Sequence, residues 1–114
     1  MKKENIIKKH NDFQTIIQTT KPHKSNYFIL FIKKTDLDNY RFGIAVSKKI
    51  GNAVTRNKIK RQIKNILNIN KELFRKGYDC IIIVNKSILN LNYNEKCEKL
   101  INILCKSDLY SEER

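Results

Sequence analysis

The stretch Arg41–Lys64 joins a hydrophobic segment, a glycine turn and a basic segment, an arrangement suited to binding anions. Neither Asp nor Glu occurs between residues 39 and 71. Ordinary surface helices intersperse opposite charges, so that side chains four residues apart can pair. The uninterrupted basic segment therefore favours binding to a polyanion over a merely solvated surface.

The geometry of this segment predicts a phosphate-binding helix from about residue 53 to residue 68. Gly51 permits the tight turn and Asn52 can cap the helix, which leaves backbone amides free at the positive end of the helix dipole. Such an end attracts phosphate. Arginine forks can hold two phosphate oxygens at once. On a helical wheel one sector beside the apolar stripe carries Arg56, Asn57, Lys60, Arg61 and Lys64.

Composition supports a nucleic-acid or other anionic partner. The 114 residues carry a formal net charge of +13, and almost all of it lies in residues 1–68, where Lys and Arg far outnumber Asp and Glu. Asymmetry of this kind favours nucleic acid or an anionic surface as the partner. The length predicts one domain, residues 1–114, with flexible ends at residues 1–9 and 107–114.

The elements around the basic segment predict an α+β domain. Phe13, Ile16 and Ile17 share one face of a short helix at about residues 11–18, with Asn11 or Asp12 as its cap. Residues 27–33 and 40–47 have strand composition, and the connector between them resembles a hairpin loop. Residues 78–84 form a continuous apolar strand, which we expect at the centre of the sheet. The order of strand, crossover helix and buried strand implies a mixed sheet covered by helices.

A last helix is predicted over about residues 94–106, with Cys97 and Cys105 on its apolar side. Three cysteines without a Cys-x-x-Cys pair favour buried free thiols in a reducing compartment over a zinc site. Neither a signal peptide nor a membrane span is indicated, so we expect a cytoplasmic protein.

The residue order closely resembles the signature of the bacterial ribonuclease P protein component family. That signature is Ser-Lys-Lys-x-Gly-x-Ala-Val followed by an Arg-Asn-Arg motif and further basic positions. The likeness extends from Asp12 to Tyr93. The matching positions are Ser47, Lys48, Lys49, Gly51, Ala53, Val54, Arg56, Asn57, Lys60 and Arg61.

The resemblance implies an α-β-β-β-α-β-α sandwich with a left-handed βαβ crossover, similar to the second domain of a small-subunit ribosomal protein. It also implies a short extra strand near residues 21–25. The general rule favours right-handed crossovers, so periodicity alone would not predict this one.

By the same resemblance, the protein is a subunit of a ribonucleoprotein in which a catalytic RNA, with bound Mg²⁺, removes the 5′ leader from precursor tRNA. The partners are then the catalytic RNA and precursor tRNA, with neither DNA nor membrane, and the protein by itself is expected to be monomeric. The RNA-binding residues expected from the resemblance and the helical wheel together are Ser47, Lys48, Lys49, Arg56, Asn57, Lys58, Lys60, Arg61 and Lys64. The leader would lie in a cleft between the first helix and the sheet, along Phe13, Ile17, Ile29, Phe31 and Lys86.

The sequence departs from the family pattern at four of its positions. Ile17 replaces a residue that is often aromatic, and Phe31 stands where tyrosine is common. Lys58 replaces the second arginine of the motif, which keeps the charge but loses the fork. Ser87 replaces a proline near Lys86. The aromatic and aliphatic cleft residues also suit an ordinary core.

Three other functions would explain part of this sequence. A general RNA-binding or ribosome-associated module would suit the charge and size equally well. A protein-only nuclease needs clustered carboxylates for Mg²⁺, yet the acids of the basic half are scattered over a tail, a cap and a loop. Binding to an anionic membrane would need the apolar side of the basic helix, which the sheet requires.

Overall fold

The computed structural model describes residues 1–107 and Leu109. The helices are α1 (His10–Thr19), α2 (Ala53–Ile69) and α3 (Tyr93–Cys105). The strands are β1 (Pro22–Lys24), β2 (Phe28–Lys34), β3 (Tyr40–Val46) and β4 (Tyr78–Val84). Short 3₁₀ turns occupy Lys3–Asn5, Lys71–Leu73 and Lys86–Asn90. The predicted α+β class and its element order, including the extra strand β1, are confirmed.

The four strands form one mixed sheet in the order β1-β2-β4-β3. β4 is antiparallel to β2 and parallel to β3, so it is central, as its apolar sequence predicts. The expected hairpin between β2 and β3 is wrong, because β4 lies between them. Both strands need a neighbour, and the most apolar strand takes the position buried on both edges and both faces. The α2 crossover joins the parallel pair, and its left hand remains an expectation from the family.

One face of the sheet carries the main core. Alternate residues of the strands, such as Phe28, Phe42 and Ile82, are at most 1% exposed and pack with the apolar sides of α2 and α3. The predicted apolar stripe of α2 is confirmed. Its buried residues are Ile59, Ile63, Ile66 and Leu67.

Within the described part of the chain, only α1 and the segment before it cover the other face. Ile7, Ile16 and Ile81 form a second, smaller buried cluster there. Gly43 in β3 lets the ring of Phe13 approach the backbone. A Cβ at residue 43 would lie 2.6 Å from Phe13 Cζ and 2.7 Å from Ile81 Cδ1. A ten-residue helix leaves part of this face uncovered.

The segment before α1 packs against the edge strand β3. Ile6 forms a parallel bridge with Phe42, and the Ile7 amide donates to the Phe42 carbonyl at 2.8 Å. Ile6 and Ile7, within the end that was predicted to be flexible, are thus paired to β3. The predicted cap at Asn11 or Asp12 is wrong, since α1 begins at His10 after Lys9, which makes no side-chain capping bond.

The carboxyl-terminal helix is held by a capping box, in which Asn92 Oδ1 accepts from the Glu95 amide and Glu95 Oε1 accepts from the Asn92 amide. The expectation that Cys97 and Cys105 are both core is wrong. Cys97 is half-buried and Cys105 is exposed. The buried side of the helix is formed instead by Lys96, Leu100, Ile103 and Leu104, so the helix is rotated about its axis relative to the prediction.

Cys80 is the buried cysteine, at the centre of β4. Burial raises the pKa of its thiol, and the charge of Asp79 adds to the effect. A thiol held protonated in an apolar surrounding is chemically inert. Cys80 is therefore a packing residue.

In the part of the chain that the structure describes, no helix is long and apolar enough to cross a bilayer. At the end of that part Ser107 and Leu109 are buried, and the Arg75 amide donates to the Leu109 carbonyl at 2.8 Å. The rest of the predicted flexible end, residue 108 and residues 110–114, lies outside the described residues.

Candidate nucleic-acid interface

The predicted basic turn lies at one end of the sheet. Val46 and Val84 are paired at the carboxyl ends of the parallel strands β3 and β4, so the chain leaves both strands at that end. After β3, residues 47–50 form a turn closed by the Ile50 amide, which donates to the Ser47 carbonyl at 3.1 Å. Ser47, Lys48 and Lys49 are all exposed on it. We call this region, residues 47–52 together with residues 85–87, the basic edge.

The amino terminus of α2 has the expected capping geometry. Asn52 Oδ1 accepts from the Thr55 amide at 2.9 Å. The first amides of a helix have no acceptor within it, and this cap satisfies the Thr55 amide but not those of Ala53 and Val54. Lys48 and Lys49 precede them in the turn. Free amides, a dipole end and two ammonium groups together suit a phosphate.

Along α2, the basic residues form two neighbouring rows. Arg56, Lys60 and Lys64 are half-buried, and Lys60 and Lys64 line a cavity of about 180 Å³ with Ile6, Lys8 and Ile44 among its other walls. Asn57 and Arg61 are exposed beside them. The Nε of Arg56 is hidden from solvent and has no hydrogen-bond partner among the described residues. An acceptor brought by a ligand could reach the rest of its guanidinium.

Lys58 lies apart from these rows, on the side of α2 that faces α3. Its charge is felt by Lys96 of α3, whose Nζ donates to Gln62 Oε1 of α2 at 2.8 Å. Burial, and next the charge of Lys58, lower the pKa of Lys96. The partner of Lys96 is a neutral amide, so this hydrogen bond does not offset the positive charge of the lysine.

The predicted cleft residues Phe13, Ile17 and Phe31 come together beneath α1, half-buried against the second cluster. Ile29 is on the same face of β2, two residues before Phe31, and is also half-buried. Lys86 lies outside this group, exposed at the end of β4 on the basic edge. The structure thus assembles four of the five predicted cleft residues on one surface.

Two further residues of this surface escaped the sequence reasoning. Ile83 pairs with both Ile29 and Ala45 across the sheet, and all three are half-buried on the face that α1 leaves uncovered. Period-two alternation within β4 could have placed Ile83 beside Ile81, had the strand order been known. We call Phe13, Ile17, Ile29, Phe31, Ala45 and Ile83 the apolar strip.

Among residues 1–107 and Leu109, no three His, Cys, Asp or Glu side chains lie together as a group that could hold a metal ion. Asp79 is a buried acidic residue, 3% exposed, and its carboxylate accepts two hydrogen bonds from Arg41, of 2.8 and 2.6 Å. The hydrogen bond to Asp79 raises the pKa of Arg41, against the lowering effect of burial. This ion pair is structural.

Comparison with known proteins finds relatives that match nearly the whole chain. The family model described as Ribonuclease P matches residues 1–108. A ribonuclease P protein component of Mycoplasma mycoides is 46% identical over 106 residues, which are 91% of this chain and 96% of that protein. The Bacillus cereus protein of the same name is 38% identical over 110 residues, 96% of each chain.

The fold has close counterparts among solved structures as well. A mutant RNase P protein of Staphylococcus aureus superimposes with a TM-score of 0.89 at 31% identity, covering 95% of this chain and 92% of that one.

Proposed function

Since the chain belongs to the bacterial ribonuclease P protein component family, we propose that it binds the catalytic RNA of ribonuclease P and the 5′ leader of precursor tRNA. In that assembly it assists removal of the leader, which gives tRNA its mature 5′ end. The observation that carries the proposal is the continuous basic surface from residue 47 along α2.

The basic edge and α2 are proposed to hold the catalytic RNA. Ser47, Lys48 and Lys49 offer exposed donors beside the free amides at the start of α2. Arg56 and Arg61 add planar forks that match two phosphate oxygens or the edge of a base. Asn57 can donate to and accept from a base or a 2′-hydroxyl. Contacts of this kind position an RNA without reading much of its sequence.

The apolar strip is proposed to hold the leader as a single strand. Aromatic faces can stack on bases for about 1 to 3 kcal/mol each, whatever the base. Phe13 and Phe31 supply such faces, while Ile29 and Ile83 supply aliphatic contact between them and the basic edge. A surface without base-specific donors suits leaders of unrelated sequence.

Catalysis is assigned to the RNA. Mg²⁺ bound mainly by that RNA would activate the attacking water, and the protein contributes by holding the leader and stabilising the assembly. The protein would act in the cytoplasm, as a monomer before it meets the RNA.

The proposal is tested by cleavage of a 5′-extended precursor tRNA at low Mg²⁺ with a bacterial ribonuclease P RNA. We expect cleavage at the mature 5′ end to be strongly stimulated when the protein is added, and none from the protein alone. Tight RNA binding without stimulation would instead support a general RNA-binding module. Cleavage by the protein alone would overturn both functions.

Phe13→Ala is expected to weaken binding of leader-bearing precursor tRNA to the protein–RNA complex, with little change for mature tRNA. The loss should correspond to one stacked base, about 1 to 3 kcal/mol, because the ring would otherwise face the leader. Equilibrium binding of both tRNA forms to the reconstituted complex measures the difference.

Phe13 also packs over Gly43, so the variant needs a control for folding. Phe13→Leu keeps an apolar side chain over the glycine but removes the aromatic face. It should lose most of the selectivity for leader while keeping most of the thermal stability. An equal loss of both tRNA forms in a folded variant would remove Phe13 from the leader site.

A further inference from the structure

A second basic concavity lies between the β1–β2 turn and α3, away from the helix α2 on which the proposed function depends. It has a volume of about 260 Å³. Lys24 lines it from the end of β1, and Lys99 and Lys106 line it from α3. Asn26, Tyr27 and Asn102 contribute to its walls. We call it the α3 pocket.

Among the described residues, little negative charge offsets the positive charge of the α3 pocket. Lysine is the sole ionisable type with a charged form at neutral pH among the described residues that line it. Glu98 lies 4.0 Å from Lys99, but its side chain is 66% exposed, and an exposed pair at that distance is weak. Three ammonium groups around one concavity repel one another unless an anion lies between them.

The wall formed by the β1–β2 turn is fixed by hydrogen bonds. Ser25 Oγ accepts from the Phe28 amide at 3.1 Å, which closes the turn. The Asn85 amide donates to the Tyr27 carbonyl at 2.9 Å, and Ser87 Oγ donates to the Asn26 carbonyl at 2.5 Å. The turn is thus attached directly to residues 85–87 of the basic edge.

This attachment makes the pocket continuous with the basic edge. The turn precedes Phe28, which pairs with Val84, so it lies at the same end of the sheet as the carboxyl ends of β3 and β4. Along that end the basic residues follow in the order of the strands. They are Lys24 beside β2, then Lys86 after β4, then Lys48 and Lys49 after β3.

From this placement we propose that the α3 pocket is a second binding site for the sugar–phosphate backbone of RNA, reached by a strand that follows the basic edge away from α2. Lys24, Lys99 and Lys106 contact successive phosphates, and Asn102 donates to a phosphate or ribose oxygen. The identity of the RNA depends on the proposed function, whereas the backbone contact does not.

The lining of the pocket fits a backbone better than a small organic ligand. Pockets for drug-sized ligands are usually about 300 to 1,000 Å³ and mostly apolar. This one is smaller, and its lysines Lys24 and Lys106 are exposed at its surface. Exposed ammonium groups give a salt-sensitive, sequence-independent contact.

The test replaces Lys24, Lys99 and Lys106 together by Gln and measures binding to ribonuclease P RNA, and of precursor tRNA to the assembled complex, over a range of salt. We expect at least one of the two affinities to fall several-fold. The slope of log K against log salt should decrease by roughly 0.7 to 0.9 for each lost contact.

The matched control replaces Lys34, Lys71 and Lys76 by Gln. These exposed lysines lie toward the opposite end of the sheet, near the starts of β3 and β4, and their loss removes the same charge. If the two triple variants bind equally well, the pocket proposal is overturned while the proposed function stands. If the unmodified protein does not bind ribonuclease P RNA at all, the proposed function fails instead.

Lysine acylation read by mass spectrometry gives an answer that needs no variant. Bound ribonuclease P RNA with precursor tRNA should protect Lys24, Lys99 and Lys106 in the intact protein. Lys34 and Lys76 should react as fast as in free protein. Reaction of the pocket lysines at the rate of the free protein would contradict the proposal.

Discussion

Arg41→Met is expected to lower the free energy of unfolding by about 3 kcal/mol, the low end of the range for removing one partner of a buried ion pair. The side chain of Asp79 is only 4% exposed, and the variant would leave the negative charge of this carboxylate without its bidentate partner. The arginine is 25% exposed, which limits the loss. Urea denaturation followed by circular dichroism measures the change.

A double variant distinguishes the contribution of the ion pair to stability from that of the packing of the two side chains. Arg41→Met with Asp79→Leu removes both charges, and replacement of a buried ion pair by apolar side chains often restores stability. We expect the double variant to recover most of the loss. Arg75→Met, at an exposed arginine, is the control and should change stability by no more than about 0.5 kcal/mol. A double variant as unstable as Arg41→Met alone would show that packing, not charge, stabilises this site.

The sequence predicted element types better than strand neighbours. The bounds of α2 were predicted to within one residue, and the predicted bounds of β4 are those of the structure, because an apolar stripe and a continuous apolar run are local signals. Which strands pair is not a local property. The connector of residues 34–39 has the composition of a hairpin loop, yet β4, which is distant in the sequence, lies between β2 and β3 in the sheet.

The same distinction applies to the candidate interface. The turn, the Asn52 cap and the rows of α2 could be predicted because they lie within one continuous segment. The apolar strip needed the strand order, so Ala45 and Ile83 were missed. The α3 pocket was missed for a further reason. Its lysines come from both the basic half and the nearly neutral half of the sequence, and only the packing of α3 beside the β1–β2 turn brings them together.

Arg56→Ala combined with Arg61→Ala is expected to weaken binding to ribonuclease P RNA by roughly 100-fold or more. Each guanidinium can make charge-assisted hydrogen bonds worth about 1.5 to 3 kcal/mol. The slope of log K against log salt should fall by about 1.4 to 1.8 in total, if each arginine neutralises one phosphate. Fluorescence anisotropy with labelled RNA over a range of salt concentrations gives both quantities.

Replacement of the same arginines by lysine decides what the guanidinium forks contribute. Lysine keeps the charge and so the salt slope, but it cannot bind two oxygens in a plane. If Arg56 acts through its fork, Arg56→Lys should lose much of the affinity that Arg56→Ala loses while its salt slope stays near that of the unmodified protein. Arg75→Ala removes an exposed arginine at the far end of the sheet and should change neither quantity beyond a small general effect. Arg56 and Arg61 alanine variants that remain folded and bind as tightly as the Arg75 control would exclude these two arginines from the RNA-binding surface.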